Sequence, residues 1–237
     1  MNGWNKIPTA VVTGGKHGLG AEIVEVLRHS HNVIIFDRED DLDVRDPVSS
    51  WSRRYGAGFQ SPDADILINC AGVNFTDWLE DLDETTWDTV MDVNAKGIYM
   101  MSRWLLPALA KNSGTILNIV SNASHTPMRT SLAYNASKGA AHIMTLQMAR
   151  ELTLKFNMTV FGISPNKLAG TDMSRAIERQ VCAARGWTPE QAAAYQASSL
   201  VTGEETDPKE LAEFIGYLLS TRSRHKFLSG CILPYGA

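Results

Sequence analysis

Six short apolar runs, each closed by a turn-forming residue, recur along the chain: TAVVTG (9–14), NVIIFD (32–37), ADILINCAG (64–72), GTILNIVS (114–121), MTVFGIS (158–164) and GCILPYG (230–236). Runs this short, rich in β-branched residues and almost without polar alternation, predict strands buried on both faces, as in a parallel sheet covered by helices. Between them the period changes. Residues 19–29, 85–111, 134–156 and 208–220 carry apolar side chains near a 3.6-residue repeat and predict those helices. The alternation of strand and helix predicts a doubly wound α/β fold, a Rossmann-like parallel sheet between two helical layers. No repeat, low-complexity tract or linker divides residues 1–237, so a single domain is expected. Residues 166–207 have helical patches and no strand, and an insertion of that size after a late strand predicts a lid over the ligand crevice.

One connection is too short for this scheme. Only five residues separate Asp37 from Asp43, whereas a parallel crossover takes about 10–12. The helix after the second strand is therefore expected to be missing, and the next strand, around Asp43, to be vestigial.

Bulk properties narrow the function classes. A chain of 237 residues can bury a core without disulfides or metal. A net charge of -4, with no basic run interleaved with aromatics, argues against a nucleic-acid partner. Cys70, Cys182 and Cys231 are odd in number and far apart, with neither a disulfide framework nor metal-ligand spacing. The opening MNGWNKIPTAVVTGG lacks a signal pattern, and no apolar stretch reaches the length of a membrane span. A soluble, cytoplasmic protein with no metal centre and no membrane partner is expected.

Two stretches carry candidate chemistry. TGGKHGLG (13–20) follows the first predicted strand and opens the first predicted helix. Gly14, Gly18 and Gly20 let backbone approach a pyrophosphate, and the helix beginning beside Leu19 aims free N–H groups and its positive dipole end at it. Asp37 closes the second strand where a carboxylate accepts hydrogen bonds from an adenosine ribose, which favours NAD over NADP. A 2'-phosphate there would meet like charge, offset in part by Lys16, His17 and Arg38 nearby in sequence. The second stretch is AYNASKGAA (133–141), where Tyr134 and Lys138 stand four apart and share a helix face. A phenol of pKa about 10 is a poor base at neutral pH, and a neighbouring ammonium lowers it.

Taken in order, TGGKHGLG, NCAG (69–72), Asn94 within VMDVNAKG, Ser121, YNASK and SPN resemble the short-chain dehydrogenase/reductase family, from about the first strand to the C-terminus. The resemblance implies an NAD(H)-dependent oxidoreductase that interconverts a secondary alcohol and a ketone by hydride transfer. In that scheme Tyr134 is the general acid/base and Lys138 also bonds the nicotinamide ribose. Ser121 holds the substrate oxygen, and Asn94 orders a water on a proton path to the lysine. Cofactor contacts are implied for Gly14, Gly18, Leu19, Gly20, Asp37, Asn69, Ala71, Gly72, Tyr134 and Lys138, for Asp43 and Val44 at the adenine, and for Pro165 and Thr171 near the nicotinamide. Cys70 replaces the family's second asparagine and reads as a small buried residue.

Departures accompany the match: Asn166 stands where glycine is usual after Pro165, six positions rather than five lead on to Thr171, and PYGA lacks the common Gly-Gly. A non-enzymatic dinucleotide-binding or regulatory protein on the same fold is the alternative function. The substrate crevice is expected to be lined by Asn122, His125, Met128, Met173, Trp187 and Tyr195, and to admit an uncharged, partly apolar hydroxy or keto compound. Trp187 and Tyr195 equally fit packing of the lid on itself. Apolar residues around much of the two long helices (Met100, Met101, Leu105, Leu106) predict burial on more than one side. Family members pair these helices across a twofold axis, which implies a homo-oligomer, a tetramer or a dimer.

Overall fold

A computed structural model describes residues 6–46, 61–220 and 225–236. Six strands, β1 (Thr9–Thr13), β2 (Asn32–Phe36), β3 (Ile66–Asn69), β4 (Thr115–Ile119), β5 (Thr159–Pro165) and β6 (Ile232–Tyr235), form one parallel sheet in the order β2-β1-β3-β4-β5-β6. The chain runs outward from β1 to β2 and then returns to place β3 on the other side of β1. Winding reverses between β1 and β3, and in such sheets ligands bind outside the carboxyl ends of the strands at that point. Helices α1 (Gly18–Arg28), α2 (Glu84–Met91), α3 (Gly97–Lys111), α4 (Leu132–Phe156), α5 (Asp172–Arg185), α6 (Pro189–Ser199) and α7 (Pro208–Ser220) complete the described elements.

Alternate residues of each strand face opposite layers, so the sheet has two cores. Ala10 and Val12 of β1, with Ile66 and Ile68 of β3, pack against α1 and α7 through Ile23, Leu27, Leu211 and Ile215. Val11 and Leu67, which point the other way, pack with Met101, Leu105 and Leu109 of α3 and Ala149 of α4. Strands β1, β3, β4 and β5 are buried along their whole length, as their unbroken apolar runs predict. β2 departs from that expectation: Asn32 and Ile34 are exposed, because β2 is the sheet edge.

The short link after β2 behaves as its length dictates. Between Asp37 and Asp43 stands a 3-10 turn, Arg38–Asp40, and Asp41 to Asp46 form no strand. Leu42 and Val44 instead tuck against the α3 side of the core. The segment predicted as one helix over 85–111 is continuous from Glu84 to Lys111 but carries a π turn at Asp92–Lys96. A hydrophobic repeat cannot reveal that extra residue in the turn.

Candidate active site

The turn after β1 is built so that only hydrogen atoms fit. Gly14 has φ +67°, and a Cβ there would lie 2.8 Å from the Ala71 Cα. A Cβ on Gly20 would lie 2.0 Å from the Gly14 carbonyl oxygen. The start of α1, the turn and the NCAG segment thus meet backbone to backbone. Leu19 is buried and anchors the first helical turn in the core. His17, at the N-cap, makes no side-chain capping bond, and no acidic residue stands in the first turn of α1. The first N–H groups of the helix and its positive end therefore stay available to an anion such as a pyrophosphate, and the glycine cradle fits a dinucleotide. Gly18, at φ +50°, faces Thr171, whose Cγ2 would stand 3.5 Å from an added Cβ. Thr171 caps α5, its Oγ1 accepting from the Ser174 N–H (3.1 Å). The sequence-distant pair Gly18 and Thr171 is thereby brought to one spot.

Asp37 closes β2 as predicted and is buried. Its carboxylate accepts from the Lys16 N–H (3.2 Å) and the Glu39 N–H (3.2 Å). Of the neighbouring residues, Lys16 Nζ pairs with Asp40 and His17 Nε2 lies 2.7 Å from Glu39, while Arg38 is exposed. Asp43 is gripped by Arg45, whose Nη2 and Nε donate at 2.7 and 3.0 Å. Burial pushes the Asp43 carboxyl up, but the Arg45 hydrogen bonds and charge hold it below its usual range. Its carboxylate is thus committed to Arg45, while Val44 packs beneath Gly97, where a Cβ would come within 2.8 Å of Val44 Cγ2.

The end of β3 is held by a buried polar chain. Thr13 Oγ1 accepts from the Cys70 and Ala71 N–H groups at 3.0 and 3.1 Å. Asn69 Nδ2 donates to Asn118 Oδ1 (2.8 Å), Asn118 Nδ2 to Thr145 Oγ1 (2.8 Å), and Thr145 Oγ1 to the Ala141 carbonyl (2.7 Å). Asn118 and Thr145 were not singled out from sequence, although Asn118 is the lone amide in GTILNIVS. The Cys70 thiol is pushed up to about 12 by burial, which keeps it protonated and inert, as its small-residue reading implies.

Asn94 is fully buried inside the π turn. Its Oδ1 accepts from the Val73 N–H (2.8 Å), and its Nδ2 donates to the Val73 carbonyl (2.9 Å) and to Ser137 Oγ (3.0 Å). Ser137 Oγ in turn donates to the Tyr134 carbonyl (2.8 Å). Asn94 thus fastens the segment after Gly72 to the helical turn that carries Tyr134 and Lys138. Gly72 lies against both side chains: a Cβ on it would stand 3.4 Å from Asn94 Oδ1 and 3.9 Å from Lys138 Nζ.

Tyr134, Lys138 and Ser121 converge at the carboxyl end of β4. Ser121 caps the 3-10 turn Asn122–Ser124, its Oγ accepting from the Ala123 N–H (3.2 Å). Lys138 Nζ donates to the Ile119 carbonyl (2.9 Å) and lies 5.8 Å from the Tyr134 ring centroid. Burial lowers Lys138 to about 8. Burial also raises the Tyr134 phenol above its ordinary value, against a hydrogen bond with Ser121 that lowers it. The expectation that the ammonium depresses the phenol is therefore corrected. The amine is turned onto the Ile119 carbonyl, and its own charge is disfavoured by the same burial.

Departures from the family pattern have local reasons. Pro165 ends β5, paired with Tyr235, and Asn166 behind it is a clamp. Its Oδ1 accepts from the Thr206 N–H (3.0 Å) and Oγ1 (2.6 Å), and its Nδ2 donates to the carbonyls of Glu204 and Gly236. An added Cβ on Gly236 would lie 2.8 Å from Asn166 Nδ2, so the C-terminal glycine is matched to this amide. The two ends of the segment 166–207 are therefore tied together. Helix α5 is tied to the segment after β3: Gln180 Oε1 accepts from the Thr76 N–H and Oγ1, and the Trp78 indole N–H donates to the Ala184 carbonyl (3.1 Å). Trp187 and Tyr195 pack on each other at 5.1 Å and against Arg185, the self-packing alternative. Asn122 is half-buried behind Ser121; His125 and Met128 are exposed on the same loop.

With that geometry in hand, comparison with known proteins defines the class. The short chain dehydrogenase family model matches residues 41–181. The NAD-dependent glycerol dehydrogenase of Listeria innocua is 31% identical over 233 residues, spanning 82% of this chain and 89% of its own. The sorbitol-6-phosphate 2-dehydrogenase of Klebsiella pneumoniae is 28% identical over 95% of this chain and 94% of its own. Among solved structures, a Beutenbergia cavernae protein crystallised with NADP superposes with a TM-score of 0.79 at 22% identity, covering 96% of this chain and 94% of its own. A variant of actinorhodin polyketide ketoreductase with NADPH superposes at 0.77 and 23% identity, over 96% and 95%. The chain belongs to the short-chain dehydrogenase family and is an oxidoreductase of that family.

Proposed function

We propose that the protein is an NAD(H)-dependent dehydrogenase that interconverts a secondary alcohol and a ketone, with Tyr134 as general acid/base. The observation that carries this reading is the convergence of the Tyr134 phenol, the Lys138 amine and Ser121 beside the glycine cradle. Bound nicotinamide supplies the hydride acceptor or donor. The Tyr134 hydroxyl takes the proton from the substrate hydroxyl in oxidation and returns it in reduction. Ser121 donates to the substrate oxygen and steadies the charge developing on it. Lys138, once redirected from Ile119 toward a bound cofactor's ribose, brings its charge to the phenolate. Asn94 holds the Val73 and Tyr134 segments in register and leaves the irregular backbone of its π turn to order the water that relays the proton.

The same reading assigns cofactor contacts to Gly14, Gly18, Leu19 and Gly20 at the pyrophosphate and to Asp37 at the adenosine ribose. It places Asn69, Ala71 and Gly72 beside that ribose, and Pro165 and Thr171 near the nicotinamide. Val44 borders the adenine; Asp43 serves through its Arg45 pair. NAD over NADP is supported by charge. Asp37 is followed by Arg38 and then by Glu39, Asp40 and Asp41, and of the residues expected to offset a phosphate, Lys16 and His17 already face Asp40 and Glu39. A 2'-phosphate would enter an acidic loop. The glycerol and sorbitol-6-phosphate dehydrogenases support a small hydroxylated substrate. A homo-oligomer, tetramer or dimer, is supported by exposed apolar side chains on the two long helices, Tyr99, Ile143 and Leu154. Free Cys70, Cys182 and Cys231 suit the cytoplasm.

Nicotinamide fluorescence on titration with NADH and NADPH tests the cofactor, followed by turnover of a panel of secondary alcohols with NAD. NADH is expected to bind at least about tenfold more tightly than NADPH, and at least one alcohol to be oxidised. Preference for NADPH would overturn the cofactor assignment, and binding without turnover would favour a regulatory dinucleotide-binding protein.

A further inference from the structure

Arg185 is the last residue of α5, and nothing in the proposed chemistry uses it. Its guanidinium stacks on Trp187 (4.8 Å to the ring centroid) and Tyr195 (5.4 Å). One donor, Nη2, reaches the Arg129 carbonyl at 3.1 Å, and the buried Nε has no hydrogen-bond partner. Among the described residues no carboxylate pairs with Arg185 or with the Arg129 side chain, although Arg175, three turns earlier on α5, is paired with Asp172. A half-buried cation with an unsatisfied donor and no counter-charge is costly to keep unless something else neutralises it.

Its position says where that partner would sit. α5 begins at Thr171, opposite Gly18 of the dinucleotide turn, and its 14 residues carry the chain about 20 Å. It ends where Ala184 receives the Trp78 indole and Arg185 meets Arg129. Arg129 lies on the loop between Ser121 and Tyr134, five residues before the phenol. Arg185 therefore meets the backbone of the loop that joins Ser121 to Tyr134, at the end of α5 opposite the one that faces the glycine turn.

We propose that Arg185, with Arg129 beside it, anchors an anionic group, a carboxylate or a phosphate monoester, at the end of the substrate remote from the reacting carbon. This rests on the dehydrogenase reading and replaces the uncharged compound expected from sequence. The guanidinium of Arg185, already oriented by two rings, suits a charge-assisted hydrogen bond to either group.

The test is calorimetric titration of the NADH-loaded protein with sorbitol 6-phosphate, gluconate and sorbitol, in wild type, Arg185→Gln and Arg185→Lys. Wild type is expected to hold one of the two anions about 10- to 100-fold more tightly than sorbitol, and added salt to narrow the gap. The preferred anion reports whether the partner is a phosphate or a carboxylate. Arg185→Gln erases the preference, and Arg185→Lys, which keeps charge without the fork, restores part of it. Equal affinity for all three compounds in wild type, or an Arg185→Gln loss shared by sorbitol, would overturn the anchor. Failure of wild type to bind NADH would instead sink the dehydrogenase reading on which the anchor rests.

Discussion

The carboxyl ends of β3 and β4 and the segment 166–207 are held by opposite means. On the sheet side, Asn94, Asn118, Ser137 and Thr145 are fully buried, and each is joined to the next element by side-chain hydrogen bonds. On the other side, α5 buries only Ser174 and α6 only Ala192. Those helices are stopped and started by local devices: Gly186 at φ +65° ends α5, and the Thr188–Gln191 capping box with Pro189 opens α6. Groups that must stay aligned to within a fraction of an ångström are placed on the part that cannot shift without breaking a buried network. In the proposed role of a lid the segment needs only to arrive, and a few contacts through Gln180, Trp78 and Arg185 suffice.

Substitutions on the two sides should therefore differ in size. The largest effect is expected at the cradle: Gly20→Ala puts a methyl 2.0 Å from the Gly14 carbonyl, displaces the turn, and should reduce NADH affinity by more than about tenfold, measured by fluorescence titration. Next, Asn118→Ala leaves the amide of Asn69 and the hydroxyl of Thr145 without their partner in a dry interior. A loss of about 2–4 kcal/mol in denaturant unfolding is expected. A loss within about 0.5 kcal/mol would show that the network is not what holds this side.

A pH-linked effect comes third. The folded chain holds Lys138 at about 8 against an ordinary value of 10.5. Below about 8 the buried ammonium opposes folding; between about 8 and about 10.5 the unfolded chain binds more protons, so the stability contributed by this residue rises with pH. Measured against Lys138→Met, wild type should gain stability across that window, and a gap independent of pH would contradict the burial of a titrating amine. Smallest is Gln180→Ala, which removes the acceptor shared by the Thr76 N–H and Oγ1. It should cost about 1 kcal/mol or less in stability while raising the KM of a turned-over alcohol several-fold, because the covering helices dock less firmly.

How much of this could be read from the chain follows the same division. The strands of the sheet and the α1 and α7 helices are legible because burial on a fixed face imposes a period, and the lone 3-10 turn between Asp37 and Asp43 follows from chain length alone. Gly14, Gly20, Tyr134 and Lys138 could be picked out by their spacing, and Asn94 and Ser121 by the family resemblance. Contacts made across the fold leave no such trace. Asn166 looks like a defect in a glycine position until Thr206 and Gly236 are seen around it. The Asn69–Asn118–Thr145 chain joins three segments with no periodic signal between them. Asp43 illustrates the converse: the family resemblance marks it for the adenine, but Arg45, two residues on, takes its carboxylate. The Tyr134–Lys138 spacing is real, yet the direction of the phenol's shift depends on where the amine points and how deeply both are buried, which spacing cannot encode.

The central claim is that the Tyr134 hydroxyl moves the proton in an alcohol–ketone interconversion. Its most direct test is Tyr134→Phe, assayed for NADH binding by fluorescence and for turnover of an alcohol that wild type oxidises. NADH binding should persist while turnover falls about 100- to 10,000-fold. A variant that binds NADH and oxidises the alcohol at the wild-type rate would contradict the account.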